Sequence, residues 1–196
     1  MPVNMKGVIA DAFVEMSRHK SVDKITVTDL VENCHISRQT FYYHFKDIMD
    51  VVEWVIQRAA QEALEKSLQA ESDKEALALF LDLAEENQSW IRHLLLSQRR
   101  AQVERIVVDV LRSYLKEMFQ MKQAELSISQ ADLEIALDFF ACGTAGLLLM
   151  LHERKKVERR VLVDQIYRLL TGGIVHIVPA SGAAAPAERL DTSPGV

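Results

Sequence analysis

Val8, Ile9, Ala12, Phe13 and Met16 recur at the spacing of one helical face, which predicts a first helix with a single apolar side. A second pattern starts at Thr26, where Asp29 follows three residues on: hydroxyl and carboxylate can satisfy amide donors that a helix start leaves orphaned. Ile25 and Leu30 can close that entry as a hydrophobic staple, and Leu30 with Val31 gives the short helix a buried face. Ser37 is a further strong N-cap, and Phe41 and Phe45, spaced i, i+4, should turn inward from the helix it opens. A fourth helix is expected from Asp47 to about Leu68, and a polar break at Ser72-Asp73 opens a fifth. Glu85 to Gln88 marks another break, ahead of Trp90. Val103, Ile106, Val107, Val110, Leu111, Tyr114, Leu115 and Met118 then form the inward stripe of a long helix over about Ala101 to Lys122. Ser129 with Asp132 caps a helix through about Glu153, and the last helix spans roughly Val157 to Val175, its end loosened by Gly172-Gly173.

The stretch from Thr26 to Phe45 carries the most chemistry. It reads as two short helices broken by a tight turn, and the second presents outward Arg38, Gln39, Thr40, Tyr42, Tyr43 and His44. These groups can bond to base edges and phosphates, and a purely structural helix would have little use for such a set. Arg38, Gln39 and Thr40, in the first turn, are expected to read bases, while Tyr42, Tyr43 and His44 hold phosphates. Thr26, Thr28 and Lys46 are further candidate DNA contacts.

The order T-V-T-D-L-V followed by I-S-R-Q-T-F-Y-Y-H-F-K-D resembles the helix-turn-helix signature of the TetR family of transcriptional regulators, over roughly residues 5 to 55. The chain departs from that pattern twice. His35 stands where the family usually has a turn-making Gly, and His enters the left-handed region only at some cost. Ile48 stands where the family usually has a phosphate-touching Lys, for which Lys46 is the substitute. Ile48 with Glu53-Trp54-Val55-Ile56 is similar to a subset that includes regulators of dihydroxyacetone kinase operons. The resemblance implies an all-α fold with an N-terminal three-helix helix-turn-helix domain (1–48), a C-terminal helical bundle for effector binding and dimerisation (49–178), and homodimers.

The chain has 196 residues, 49% of them hydrophobic, enough to bury a sizeable core. Its seven Gly and four Pro, three of the latter beyond residue 178, favour helices nearly throughout, and the Ala-, Pro-, Ser- and Gly-rich stretch 179–196 is expected to be disordered. The net charge of −5 is unusual for a DNA binder, and residues 1–50 hold six Lys or Arg against seven Asp or Glu. Face matters more than sum, and Arg38, His44 and Lys46 cluster at the reading helix. Modest affinity per subunit is expected, which itself favours a dimer. Cys34 and Cys142 match no metal or redox spacing, and Cys34 reads as a packed thiol. The uncharged run Phe139 to Leu151, 13 residues, is shorter than the ~20 needed to span hydrocarbon. With no signal peptide, a cytoplasmic protein is expected. No phosphate loop, metal motif or nucleophile elbow points to an enzyme, and no cofactor or metal is called for.

Trp54, Phe80, Trp90, His93, Met118 and Phe140 are the candidate walls of an effector pocket for a small apolar or amphipathic metabolite, although aromatic residues at helical spacing equally fit a core. The candidate dimer seam comprises Gly143, Gly146, Leu147 and Met150 on one helix and Leu162, Ile166, Leu169 and Leu170 on the next, unless the two glycines serve close packing inside one subunit. Arg154, Lys155 and Lys156 with Arg159 and Arg160 fit a solvated connector. Together these features describe a sequence-specific transcriptional regulator, with repression as the expected sign, that an effector releases from DNA. Two alternatives remain: a regulator that senses a partner protein, and a helical adaptor or carrier that has lost DNA binding.

Overall fold

The computed structural model describes residues 4–121, 129–151 and 158–170. Among them run nine α-helices: α1 (Met5–His19), α2 (Val27–Asn33), α3 (Arg38–His44), α4 (Ile48–Leu68), α5 (Asp73–Glu86), α6 (Gln88–Leu95), α7 (Arg100–Met121), α8 (Gln130–Leu151) and α9 (Arg159–Leu170), with a 3-10 turn at Val22–Lys24. The ends of the last expected helix, its glycines, the basic run 154–156 and the 179–196 stretch lie outside the described residues.

Caps place the first four helices. At α2 the Thr26 hydroxyl accepts from the Asp29 amide at 3.1 Å, and the Asp29 carboxylate accepts from the Thr26 amide and hydroxyl, each at 2.7 Å. Lys20 stands 3.1 Å from the same carboxylate. These bonds to Thr26, with the Lys20 ammonium, hold the Asp29 carboxyl at about 2, well below its ordinary value. A depressed carboxyl contributes stability above its unfolded value, near 4, and loses it as pH falls through the folded one. The wild type should therefore lose stability between about pH 4 and pH 2 more steeply than Asp29→Asn, as measured by urea unfolding across that window. Equal slopes would show that the cap does not depend on charge.

The end of α2 explains how His35 replaces a glycine. The His35 amide donates to the Glu32 carbonyl at 3.2 Å and the Ile36 amide to the Val31 carbonyl at 3.0 Å, the two bonds of a Schellman turn. That turn requires a left-handed residue, and His35 takes it at φ 53°. Ile36, the hydrophobic residue that such a turn favours, packs on the core that holds Val31. Relieving the backbone strain by His35→Gly should raise stability by about 1 kcal/mol, seen as a higher urea midpoint with unchanged slope. A lower midpoint would mean that the imidazole makes a compensating contact.

Between α3 and α4 the chain is pinned from both sides. The Asp47 carboxylate accepts from the amides of Met49 at 2.7 Å and Asp50 at 3.0 Å, while the Asp50 carboxylate accepts from the Lys46 amide at 2.8 Å. These bonds fix the turn that follows α3 onto the first turn of α4.

The principal core ignores the expected boundary at residue 48. Phe13, Leu30, Phe41 and Phe45 from the first three helices share it with Val51 and Val52 of α4, Trp90 and Leu94 of α6, and Val103 of α7. Two polar bonds reinforce the junction: His93 Nδ1–H donates to the Ser17 carbonyl at 2.6 Å, and the Gln98 amide donates to the Asp23 carboxylate at 3.0 Å. Val8, expected inward, is 38% exposed, because the buried face of α1 runs through Ile9, Ala10, Phe13 and Ser17. Cys34 is only partly buried, its Sγ 3.9 Å from the Val8 carbonyl oxygen, and that burial pushes its thiol up.

Farther out, α5 packs on α4 and α9, and α8 on α7. Arg112 of α7 bridges Glu134 and Asp138 on α8, Lys74 of α5 pairs with Asp164 of α9 at 2.8 Å, and Arg159 of the expected connector pairs with Asp82. The Ser67 and Tyr114 hydroxyls meet at 3.0 Å, tying α4 to α7.

Candidate nucleic-acid interface

Because Phe41 and Phe45 are buried, α3 turns its polar residues away from the core. Arg38 and Gln39 are exposed at its N-terminal turn, and Thr40, half-buried, lies 2.8 Å from the Ser37 hydroxyl. Tyr43 is 84% exposed and Tyr42 54%; leaving two phenol rings in water makes sense where their hydroxyls have a partner outside the subunit. The Tyr42 ring stands edge-on to Phe41 at 5.4 Å, and Tyr43 to His44 at 5.0 Å. Lys46 is exposed just beyond the helix. Arg38 reaches across to α2, its Nη2 donating to Thr28 Oγ1 at 2.7 Å. Thr26 is exposed, but its hydroxyl is bound within its own cap. Seven of the nine candidates thus keep side-chain polar groups outside the cap bonds, on α2, α3 and the turn after it; Thr26 and Thr40, bound to their cap partners, are the exceptions.

The six candidate pocket residues do not come together. Trp90 is 2% exposed inside the shared core, its Nε1–H donating to Asn87 at 2.8 Å, and His93 is engaged with Ser17 beneath α1. Phe80 lies 5.3 Å from the Tyr114 ring, and Phe140 stands against Phe139 on α8, while Met118 is half-buried on α7. Trp54 is half-buried, edge-on to Phe45 at 6.2 Å and beneath the Arg58 guanidinium at 5.0 Å. Of the six only Trp90 is buried in the core, as burial of a large apolar side chain favours.

The larger described cleft, about 510 Å³, lies instead between α4 and α7. Glu53, Gln57 and Gln61 form one wall, Arg105, Asp109, Ser113 and Glu117 the other, over a floor of Leu64, Ile106 and Val110. Both walls are ridges of i, i+4 spacing, polar and therefore indistinguishable in sequence from solvated helix faces. Trp54 lines a second, more open cleft of about 420 Å³ with Arg58, Glu62 and Glu65.

Of the candidate seam, Leu147, Leu162 and Ile166 pack inside the subunit with Leu81 of α5. Gly143 and Gly146 do not: among the described residues a Cβ at either would meet nothing within 4 Å, so no described helix packs closely on them. Met150 and Leu169 are also outward, while the Leu170 side chain lies outside the described residues. The sequence reading missed Ile135 and Phe139, 70% and 72% exposed, which with Cys142, Gly146 and Met150 draw a line at alternating steps of four and three or four residues along α8. That near-heptad spacing is the signature of a helix seam, and it was legible.

A TetR C-terminal family model, described as "Transcriptional regulator C-terminal region", matches residues 71–172. The HTH-type dhaKLM operon transcriptional activator DhaS of Lactococcus lactis subsp. lactis (strain IL1403) is 27% identical over 81 residues, 41% of this chain and 43% of that protein. The match thus takes in less than half of that relative's length. Two solved structures share the fold. A dihydroxyacetone kinase operon activator DhaS aligns with TM-score 0.62 and 21% identity, covering 87% of this chain and 96% of the other. Lin0861 from Listeria innocua aligns with TM-score 0.67 and 21% identity, covering 88% and 94%. Among the described residues no helix is long and apolar enough to cross a membrane.

Proposed function

Because the chain belongs to the TetR family of transcriptional regulators, we propose that it is a homodimeric, sequence-specific DNA-binding regulator, with α3 reading the major groove and an effector acting at the α4–α7 cleft. The observation that carries the DNA-reading part is the outward face of α3, polar and aromatic over its whole length on a helix fixed by caps at both ends. Dimerisation is supported by the apolar line on α8 and by the exposed Val161 and Leu169 of α9, which a lone subunit leaves in water. Two reading heads on one DNA face need centres ~34–36 Å apart or a multiple of that, so the seam must hold them in register.

The cleft is placed to disturb that register. Val103, early in α7, lies in the core beneath the head, and Tyr114, farther along, reaches Ser67 near the end of α4. The two helices therefore run side by side away from the head, and a molecule wedged between them tilts α4 and with it α3. The carboxylate and amide walls above an aliphatic floor suit an amphipathic effector better than a wholly apolar one. Whether promoter output falls or rises then depends on where the operator lies.

The test is selection of tight duplexes from a random-sequence DNA pool by the purified protein at low salt, followed by titration of the winners against salt. Enriched sites with dyad symmetry and a steep loss of affinity with salt are expected. No enrichment at any salt would leave the adaptor or carrier reading in its place.

A further inference from the structure

Arginines with structural roles in this chain are held by carboxylates: Arg58 by Asp11 at 2.7 Å, Arg112 by Asp138 at 2.6 Å, Arg18 by Glu15 at 3.4 Å. Arg38 is different. Its partner is a neutral hydroxyl, Thr28 Oγ1 at 2.7 Å, and among the described residues no carboxylate pairs with it. Its charge is thus not neutralised inside the protein, while its long side chain is tethered from the neighbouring helix. Tethering matters because a long Arg side chain carries rotamer entropy that an untethered one loses on docking.

The hydroxyl itself has capacity left. A guanidinium only donates, so Thr28 Oγ1 must be the acceptor, and its own O–H remains available. Of the neighbouring hydroxyls, Thr26 donates to Asp29, and Ser37 and Thr40 share one bond that uses one of their two O–H groups. Thr28 lies in the first turn of α2 and Arg38 in the first turn of α3, ten residues apart in sequence, so the pair bridges the N-terminal ends of both helices.

We infer that Thr28 is a positioning residue that couples backbone anchoring to base readout. Its O–H donates to a DNA phosphate while its oxygen holds the Arg38 guanidinium in the pose that meets O6 and N7 of a guanine. Arg38 keeps the geometry for this, since one of its five N–H groups serves Thr28 and a bidentate guanine contact takes two more. Recognition of that guanine then depends on the phosphate being in place, which sharpens discrimination between a correct site and random DNA. The inference rests on the DNA-binding reading above.

The test uses the full chain and the tightest duplex recovered by selection with the wild type, together with its single base-pair variants and a scrambled duplex. Discrimination is read as the ratio of Kd values. Arg38→Ala should abolish discrimination at one guanine. Thr28→Val should lower discrimination at the same guanine about tenfold, with an unchanged salt slope because no cation is lost, and Thr28→Ser should restore it. The double variant Thr28→Val with Arg38→Ala should discriminate no worse than Arg38→Ala alone. Retained guanine discrimination in Thr28→Val, or fully additive losses, would overturn the coupling while leaving DNA binding intact. A wild type that binds no duplex would overturn the DNA reading itself. Because Thr28→Ser keeps the hydroxyl on a slimmer side chain, its rescue separates the loss of a bond from a loss of fold.

Discussion

Gly146→Arg is expected to convert the dimer into a monomer. Each subunit would bring an arginine to the centre of the α8 line, where none of the described line residues is a carboxylate and where the partner, in a two-fold contact, presents the same charge. An uncompensated buried charge costs about 3–5 kcal/mol, which raises the dimer dissociation constant by two orders of magnitude or more. The substitution is clean because a Cβ at Gly146 meets nothing within 4 Å among the described residues, and a helix interior gains from replacing glycine. Monomer stability should therefore be unchanged or higher while sedimentation shows half the mass. The free Cys142, exposed on the same line, supplies a second reading: mild oxidation should cross-link wild-type subunits and leave Gly146→Arg uncross-linked. An unchanged dimer would place the seam elsewhere. Operator affinity should collapse along with the dimer, since one head makes half the contacts.

Which features were legible in the sequence follows from what each depends on. Caps and helical stripes are local, so Thr26, Ser37, Asp47, Ser72 and Ser129 announced their helices, and α2 to α5 and α7 begin within a residue of where they were expected. The face of α3 was legible because two phenylalanines fix its orientation. Long-range placement was not. Nothing in the residues around Trp90 says that an eight-residue helix, α6, slides under α1, so Trp90 reads as pocket wall or core, and His93 as pocket wall or a surface or satisfied residue. The cleft was hidden for the opposite reason: Gln57, Asp109 and Glu117 look like any solvated ridge until a parallel neighbour makes the ridge a wall. On α8 the difficulty was separating two faces of a helix that is apolar almost all round. Leu147 went to the inner face and Phe139 to the outer, a choice that α5 and α7 make and the local sequence does not.

The burial of Trp90 has a consequence for how the molecule unfolds and how it signals. Trp90→Ala should cost about 3–5 kcal/mol, the range for removing a large buried aromatic. The indole is 2% exposed, and its loss also leaves the Asn87 Oδ1 without its donor. The site is shared: Trp90 belongs to the same core as Phe13, Phe41 and Phe45, so the penalty falls on the reading head and on α6 together. Urea unfolding followed by Trp54 fluorescence and by circular dichroism should therefore give coincident transitions that move together to lower urea in the variant. Two separated transitions, with the head unshifted, would mean that residues 1–48 fold as an independent unit. If they coincide, the head cannot swing freely on α4, because Leu94, the His93 bond to Ser17 and the Gln98 bond to Asp23 also hold it. An effector in the α4–α7 cleft would then have to move head and α6 as one body. By reciprocity, operator DNA must alter effector affinity by the same factor that the effector alters operator affinity.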